Sequence, residues 1–255
     1  MVIDPPPHLL AALGLELWTE DGVTHGVAEL GPTTWAVGTE RPRLGLLATM
    51  ADMVAGMPPS GAINPTVDLS IQLMAPAPAR AAVHLVCRPA KVGRRLFVGE
   101  VMFDSAGVPF ARATVTFLNQ LMPEADPLVL SGPGGRPETS IEERLQSRAK
   151  DDRTLVVPLT EATTNPGGTM QGGLQATVAE MASEWALVCH GQFVVTDLDI
   201  RYLGRICAGP LVATGEVVSV NDGSAFVRVE LTDEADGRLG AVVSTVCRRS
   251  ASLER

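Results

Sequence analysis

The sequence predicts an α+β fold made of two tandem copies of one unit. The main observation is an internal repeat, because "GLLATMADM" at 45–53 and "GLQATVAEM" at 173–181 share six of nine residues. Further along, "VDLSIQLM" at 67–74 matches "TDLDIRYL" at 196–203, and "FVGEVMFDSAG" at 97–107 matches "FVRVELTDEADG" at 226–237. The offset between the copies grows only from 128 to 130, changing where loops are expected. Self-similarity of this kind indicates a duplicated structural unit.

The order of the hydrophobic patterns predicts the elements of each unit. In the second copy a strand-like run comes first, a helical pattern follows, and four further strand-like runs come last; they lie near 153–159, 172–187, 193–203, 210–220, 224–233 and 239–249. Short turns such as "SVNDGS" and "DEADG" favour antiparallel pairing of consecutive strands. We therefore expect one long central helix against a meander of antiparallel strands in each unit.

These elements divide the chain into an N-terminal unit over 1–120, a linker over 121–151 and a C-terminal unit over 152–255. The linker begins rich in proline and glycine and ends in a charged segment, where Thr139 or Ser140 is a candidate helix N-cap. Because an internal duplication commonly replaces a homodimer, we expect the two units to pack about a pseudo-two-fold axis.

Composition and charge exclude several classes of function. The net charge of -9, without a long run of lysine and arginine, disfavours nucleic-acid binding. The N-terminal stretch "MVIDPPPHLLAALGLEL" suits neither a secretory signal nor a membrane span, so we predict a cytoplasmic protein with no membrane partner. The four cysteines and four histidines are scattered without ligand spacing, and we expect no metal site and no cofactor.

The start of the second-copy helix is the main candidate site. Gly172 and Gly173 remove side chains from a helix N-terminus, where unpaired N–H groups attract negative charge. Such a start can form an oxyanion hole, although a tight turn or close helix packing also explains the glycines. Glu180 lies about 12 Å further along the same helix, at ~1.5 Å per residue, which is too far to act there.

The repeat supplies an acid from the other copy. If the two helices run antiparallel across the axis, Asp52 faces Gly172, and Glu180 faces the start of the first helix. The second-copy start carries Asn165, Gln171 and Gly172, where the first copy has Val37, Arg43 and Leu44. We therefore predict one competent site, formed by Asp52, Asn165, Gln171 and Gly172. In a second, degenerate site, Glu180 and Arg43 form a structural ion pair or remain as a vestige.

Taken together, these residues resemble the tandem, double-hotdog acyl-CoA thioesterases of the phenylacetate-pathway type. That family shows an asparagine, six residues, then Gly-Gly opening a helix, and an acid eight residues past the first glycine; here these are Asn165, Gly172, Gly173 and Glu180. The resemblance implies a sheet wrapped around a central helix and a thioester carbonyl polarised by the Gly172 N–H. It also implies Asp52 as general base or nucleophile, with Asn165 positioning the acid or the water.

The resemblance further implies an acyl-CoA or another acyl thioester as substrate, and association of chains into homo-oligomers is compatible with it. Candidate substrate-binding residues are Gly173, Met53, Met181 and Arg201. The chain departs from the family at Gln171, where a histidine is usual. Two alternatives therefore stay open: a non-catalytic acyl-CoA-binding protein, and a hydratase or dehydratase of acyl thioesters. The second ranks last, because no histidine occupies the helix start.

Overall fold

A computed structural model of the chain describes residues 9–56, 65–118, 139–165 and 167–250. Among its described residues, the first unit contains one long helix, six strands and two short 3-10 helices. In chain order these are a 3-10 helix Leu9–Leu13, β1 Glu16–Glu20, β2 Val23–Leu30, a 3-10 helix Pro32–Thr34, α1 Leu44–Ala55, β3 Thr66–Leu73, β4 Ala81–Val92, β5 Leu96–Ser105 and β6 Val108–Leu118.

The second unit repeats this order. Its elements are α2 Ile141–Arg144, β7 Arg148–Ala149, β8 Thr154–Val157, α3 Gly172–Ala186, a 3-10 helix Val188–His190, β9 Phe193–Tyr202, β10 Leu211–Val220, β11 Ser224–Asp233 and β12 Arg238–Arg249. Ser140, rather than Thr139, caps α2, because its hydroxyl accepts from the Glu143 N–H while the Glu143 carboxylate accepts from the Ser140 N–H. The predicted α+β class is confirmed.

All twelve strands form one sheet, in the order β1-β2-β4-β5-β6-β3-β9-β12-β11-β10-β8-β7. The units join where β3 and β9 pair antiparallel, and Ser70 lies opposite Asp199 at the centre of that pairing. Ser70 and Asp199 are also equivalent in the sequence repeat, so the pseudo-two-fold axis passes through this pair. The fold is therefore two tandem units related by that axis, as the repeat predicts, and each has the hotdog architecture that the resemblance implies.

The strand order differs from a simple meander in one respect. Strands β4, β5 and β6 pair consecutively, as do β10, β11 and β12, but β3 pairs with β6 and β9 pairs with β12. The tight turns that the sequence shows fix only the consecutive pairs. The connections at 74–80 and 203–210 are longer, so they leave β3 and β9 free to pair with each other across the axis.

The two long helices cross at glycines. A Cβ placed on Gly45 would lie 2.3 Å from the Thr177 Cα, and one placed on Gly173 would lie 2.4 Å from the Thr49 Cα. Only glycine permits this backbone separation. The crossing brings the N-terminus of each helix close to the middle of the other. Among the described residues, no helix is long and apolar enough to cross a membrane.

Candidate active site

Gln171 links the start of α3 to Asp52 of the first unit. As the N-cap of α3, Gln171 accepts the Leu174 N–H on its Oε1 at 2.9 Å. Its amide nitrogen Nε2 then donates to Asp52 Oδ2 at 2.8 Å. The capping bond fixes the orientation of the amide, so the second-unit helix presents a donor to an acid from the first unit.

Asp52 is a buried carboxylate held by two donors. The residue is only 7% exposed, and besides Gln171 it accepts from Thr66, whose Oγ1 lies 2.7 Å from Asp52 Oδ1. Burial raises the pKa of Asp52 to about 6, against the lowering effect of the two hydrogen bonds. The carboxylate is therefore mainly ionised at neutral pH and still basic enough to take a proton.

The first turn of α3 offers donors beside this acid. In the part of the chain that the structure describes, the N–H groups of Gly172 and Gly173 have no hydrogen-bond partner. Tyr202 donates its hydroxyl proton to the Gly172 carbonyl oxygen at 2.7 Å, and its Cζ and hydroxyl oxygen lie 3.3 Å from where a Gly172 Cβ would stand. The arrangement combines a buried carboxylate with unoccupied backbone donors, which is what addition of water to a carbonyl needs.

Asn165 lies in the turn that precedes α3. Its Oδ1 accepts from the Thr169 N–H at 3.3 Å and from the Thr169 hydroxyl at 3.2 Å. Within the described residues, no hydrogen bond joins Asn165 to Asp52 or Gln171. The structure thus brings Asp52, Gln171 and Gly172 together and leaves Asn165 bonded inside its own turn.

The related start of α1 carries an ionic cluster. Glu180 Oε2 accepts the Gly45 N–H at 2.7 Å, so the acid of the second unit occupies the backbone donor of the first. Arg43 lies 3.5 Å from Glu180 Oε1 and makes a paired contact with Glu142 of α2 at 2.7 and 2.9 Å. Arg41 and Glu184 complete the cluster, and Glu184 contacts both arginines.

Burial and neighbouring charge oppose each other in this cluster. Burial alone would lower the pKa of Arg43, but the carboxylates around it outweigh burial and raise that pKa. Burial raises the pKa of Glu180, although Arg43 and Arg41 act in the opposite direction. The cluster joins the start of α1 to α2 and α3. Because the Gly45 N–H already donates to Glu180, it is not open to a ligand.

The residues predicted to bind substrate lie in different surroundings. Gly173 is at the helix crossing beside Thr49, Met181 is a core residue that is 6% exposed, and Met53 packs partly buried against the same core. Arg201 is exposed and pairs with Asp199, on the sheet face opposite to that of its neighbour Tyr202. Arg201 thus lies on the other side of the sheet from the helices, and its contact with a substrate stays a prediction.

That outer face also carries a groove of about 690 Å³ in the first unit. It is lined by outward-facing side chains of β3 to β6, including Ser70, Gln72, Arg88, Glu100, Arg112 and Thr114. The groove is on the side of the sheet away from the helices, and so it is separate from Asp52.

Some residues of the Asp52 site and of the ionic cluster at the α1 start were not identified from the sequence. Glu184 could be found, because it lies one helical turn past Glu180 and faces the same way. Thr66 and Tyr202 give no local signal, since each lies in a strand and meets its partner only through tertiary packing. Glu142 reaches Arg43 from α2, which lies in the segment predicted as the linker, where no repeat is visible in the sequence.

Comparison with known proteins agrees with this architecture. Residues 167–239 match the model of the thioesterase superfamily. Solved structures with the same fold include the tesB protein of Mycobacterium avium subs paratuberculosis, with TM-score 0.69 and 16% identity over 94% of this chain and 97% of that one. The acyl-CoA thioesterase II TesB2 of Mycobacterium marinum has TM-score 0.57 and 13% identity over 96% of this chain and 99% of that one.

Sequence relatives are proteins named acyl-coenzyme A thioesterase 13. The human protein is 36% identical over 83 residues, which cover 31% of this chain and 59% of the human protein. The chain thus spans about three fifths of the human relative's length. The mouse protein is 31% identical over 99 residues, covering 37% of this chain and 71% of the mouse protein. On the family match and these relatives, the chain belongs to the thioesterase superfamily.

Proposed function

We propose that the chain hydrolyses acyl-CoA thioesters at one composite site, formed by Asp52 of the first unit and the start of α3 in the second. The observation that carries the proposal is the 2.8 Å hydrogen bond from Gln171 to Asp52, which holds a buried carboxylate beside unoccupied helix N–H groups. Membership of the thioesterase superfamily supplies the reaction class. The names of the relatives supply acyl-CoA as the substrate.

In this mechanism Asp52 acts as a general base. It removes a proton from a water molecule as the water oxygen attacks the thioester carbonyl carbon, and the oxyanion accepts from the Gly172 N–H. The carbon–sulfur bond then breaks, and the proton held by Asp52 passes to the departing thiolate. The products are a carboxylic acid and free coenzyme A, so all atoms of the water and the thioester are accounted for.

The contacts of Asp52 favour the base over a nucleophile. Both carboxylate oxygens already accept a hydrogen bond, from Thr66 and Gln171, which hold the carboxylate in place. A base needs only to reach a bound water, whereas a nucleophile must move to bonding distance of the carbonyl carbon. A single turnover in ¹⁸O-water distinguishes the two roles. An acyl–Asp52 anhydride that water opens at the Asp52 carbon carries the label into the Asp52 carboxylate, whereas a base leaves that carboxylate unlabelled.

One site per chain follows from the contrast with α1. There Glu180 accepts the Gly45 N–H, and Arg43 fills the position that corresponds to Gln171. A thioester oxygen would have to displace a buried ion pair to bind. We therefore assign turnover to the Asp52 site and a structural role to the Glu180 cluster.

A binding protein without turnover is the second candidate. Gln171 favours it, because an amide donates a hydrogen bond but cannot exchange protons as the family's usual histidine can. Calorimetry with an acyl-CoA would then show saturable binding while no free thiol appears.

The decisive experiment compares wild type with Asp52→Asn on a panel of acyl-CoAs, from acetyl- to palmitoyl-CoA and including phenylacetyl-CoA, with thiol release as the readout. Loss of the base lowers kcat by roughly 10²- to 10⁴-fold. Asp222→Asn is the matched control, because Asp222 is exposed in the turn between β10 and β11, and its replacement leaves turnover unchanged. An active wild type matched by Asp52→Asn would overturn the site assignment.

A further inference from the structure

The two helix starts show which backbone donors point into the space between the units. At α1, the Gly45 N–H donates to Glu180 Oε2 at 2.7 Å, so this N–H is aimed at the acid of the other unit. Gly173 is the equivalent of Gly45 in the repeat, and both glycines lie at the helix crossing. The Gly173 N–H is therefore aimed at the space beside Asp52.

At α3 that donor is unoccupied. Asp52 is one methylene shorter than Glu180, and its two oxygens are bonded to Thr66 and Gln171. Within the described part of the chain, the Gly173 N–H has no hydrogen-bond partner. A second backbone donor is thus available one residue after Gly172.

Tyr202, the chain's single tyrosine, acts on the peptide that carries this donor. Its hydroxyl donates to the Gly172 carbonyl oxygen at 2.7 Å. The Gly172 carbonyl and the Gly173 N–H are the two ends of one amide group. A hydrogen bond to the carbonyl withdraws electron density from the amide and strengthens its N–H as a donor.

We infer that Tyr202 is a positioning residue of the site, whose hydroxyl holds and polarises the Gly172–Gly173 peptide so that the Gly173 N–H joins the Gly172 N–H in binding the thioester oxygen. The inference rests on the proposed thioester hydrolysis. It adds a second donor to the oxyanion hole and assigns a role to a strand residue outside the helix.

The first unit has no tyrosine equivalent to Tyr202, which agrees with the structural role assigned to the start of α1. The equivalent of Tyr202 is Leu73, and the equivalent of Gly172 is the buried Leu44. Leucine has no hydroxyl to bond a carbonyl. The phenol is present only where the helix N–H groups are open.

Burial of the Tyr202 phenol keeps its hydroxyl protonated, as donation to the Gly172 carbonyl oxygen requires. Burial, with the nearby Asp52 carboxylate as a smaller cause, raises the pKa of Tyr202 well above its usual range. The hydroxyl therefore keeps its proton across the working pH range and remains a donor to Gly172.

Tyr202→Phe tests the inference, because it removes the hydroxyl and keeps the ring over Gly172. We expect kcat to fall about 5- to 30-fold with KM nearly unchanged, less than the 10²- to 10³-fold loss that follows removal of a whole oxyanion donor. Ser183→Ala is the matched control. It removes a buried hydroxyl from the same helix, where Ser183 bonds the Ala179 carbonyl and accepts from Thr245, and it leaves kcat unchanged.

The amide NMR signals of the two glycines give a second readout. In Tyr202→Phe the Gly173 amide proton moves upfield, while Ser183→Ala leaves it in place. Hexanoyl-dethia-CoA, in which a methylene replaces the thioester sulfur, moves the Gly173 amide proton downfield in wild type. The inference is overturned if Tyr202→Phe keeps wild-type kcat, or if the analogue moves Gly172 alone.

Failure of the proposed function gives a different result. If wild type shows no thiol release, hydrolysis is rejected. The Tyr202→Phe shift of the unliganded Gly173 amide still tests whether the phenol polarises the peptide.

Discussion

The starts of α1 and α3 share a backbone geometry but differ in chemistry. Each lies at the helix crossing, and each faces an acid from the other unit. At α1 the N-cap position is Arg43, and a glutamate reaches the backbone donor. At α3 the N-cap is Gln171, and a shorter aspartate bonds side chains instead, so the donors stay open. The α1 start differs from the α3 start in having a cation at the N-cap position and one more methylene group in the facing acid. These two differences give an ion-pair cluster at α1 and a candidate active site at α3.

The two helix starts also differ in how their acids affect the stability of the fold. The acid at α1 has two arginines beside it, whereas Asp52 has only neutral donors. A buried carboxylate without a cation is destabilising when ionised, because burial removes its hydration. The α3 start should therefore be the less stable of the two, and single substitutions at the two starts should change stability in opposite directions.

The largest effect on stability is expected from Arg43→Gln. This change removes the central cation and leaves the carboxylates of Glu142, Glu180 and Glu184 in a buried cluster. Loss of one partner from a buried ion pair lowers the free energy of unfolding by roughly 3–5 kcal/mol. Denaturant unfolding measures it, while turnover of the folded protein at the Asp52 site should persist.

Two further variants check the cause of that loss. Adding Glu180→Gln to Arg43→Gln should recover much of the stability, because it removes one of the unpaired charges. Lys150→Gln breaks an exposed pair with Glu234, in which the side chains are 54% and 44% exposed, and should change stability by less than about 1 kcal/mol. Equal losses of unfolding free energy for Arg43→Gln and Lys150→Gln would contradict the stabilising role of the ion-pair cluster at the α1 start.

Asp52→Asn is expected to raise the free energy of unfolding, whereas Arg43→Gln lowers it. The pKa of Asp52 in the folded protein, about 6, exceeds the ordinary aspartate value of 3.8, so the protonated form of Asp52 favours folding. That stabilisation is complete below pH 4 and is lost as pH rises through 6. Above pH 7 the neutral asparagine should raise the free energy of unfolding by up to about 3 kcal/mol, at 1.36 kcal/mol per pKa unit.

Thermal unfolding at several pH values measures this gain. The difference between Asp52→Asn and wild type should be small at pH 4 and should grow toward pH 7. A difference that is independent of pH, or a variant less stable than wild type at pH 7, would show that Asp52 is not destabilising in its ionised form.

The smallest effect expected is a shift in the pH profile of kcat/KM. Wild-type kcat/KM should fall below about pH 6 as Asp52 takes up a proton. Gln171→Ala removes a hydrogen bond that lowers this pKa, so the acid limb should move to higher pH by less than about one unit. Arg43→Gln, at the equivalent position of the other unit, should leave the limb in place. An unshifted limb in Gln171→Ala would mean that another group controls it.

The repeat made much of the fold predictable. Six matches in nine residues identified the two units, and the hydrophobic periods located α3 and the four strands after it within one or two residues. Sequence could not show that β3 pairs with β9. Pairing across an axis depends on which strand edges remain free, and a loop of several residues does not decide that.

The placement of the candidate site residues was predictable as far as the pseudo-two-fold symmetry reaches. Antiparallel helices about an axis put Asp52 beside the α3 start, and the structure records its contact with Gln171. Symmetry could not supply Tyr202 or Thr66, because Leu73 and Val195 replace them in the other unit. Nor could it place Arg201 on the outer face, since the alternation of a strand fixes the face only when its register is known.

By itself, the sequence determined the duplication, the order of elements and the pair of helix starts, because these follow from local periodicity and from residue identity at a fixed offset. Residue identity at the two starts also predicted which start stays open, and only the tertiary structure decided how. That outcome depends on the length of an acid measured against a backbone donor from the other unit, and on a tyrosine from the central strands that reaches the helix. Distances between groups far apart in the chain are set by packing, which no local pattern encodes.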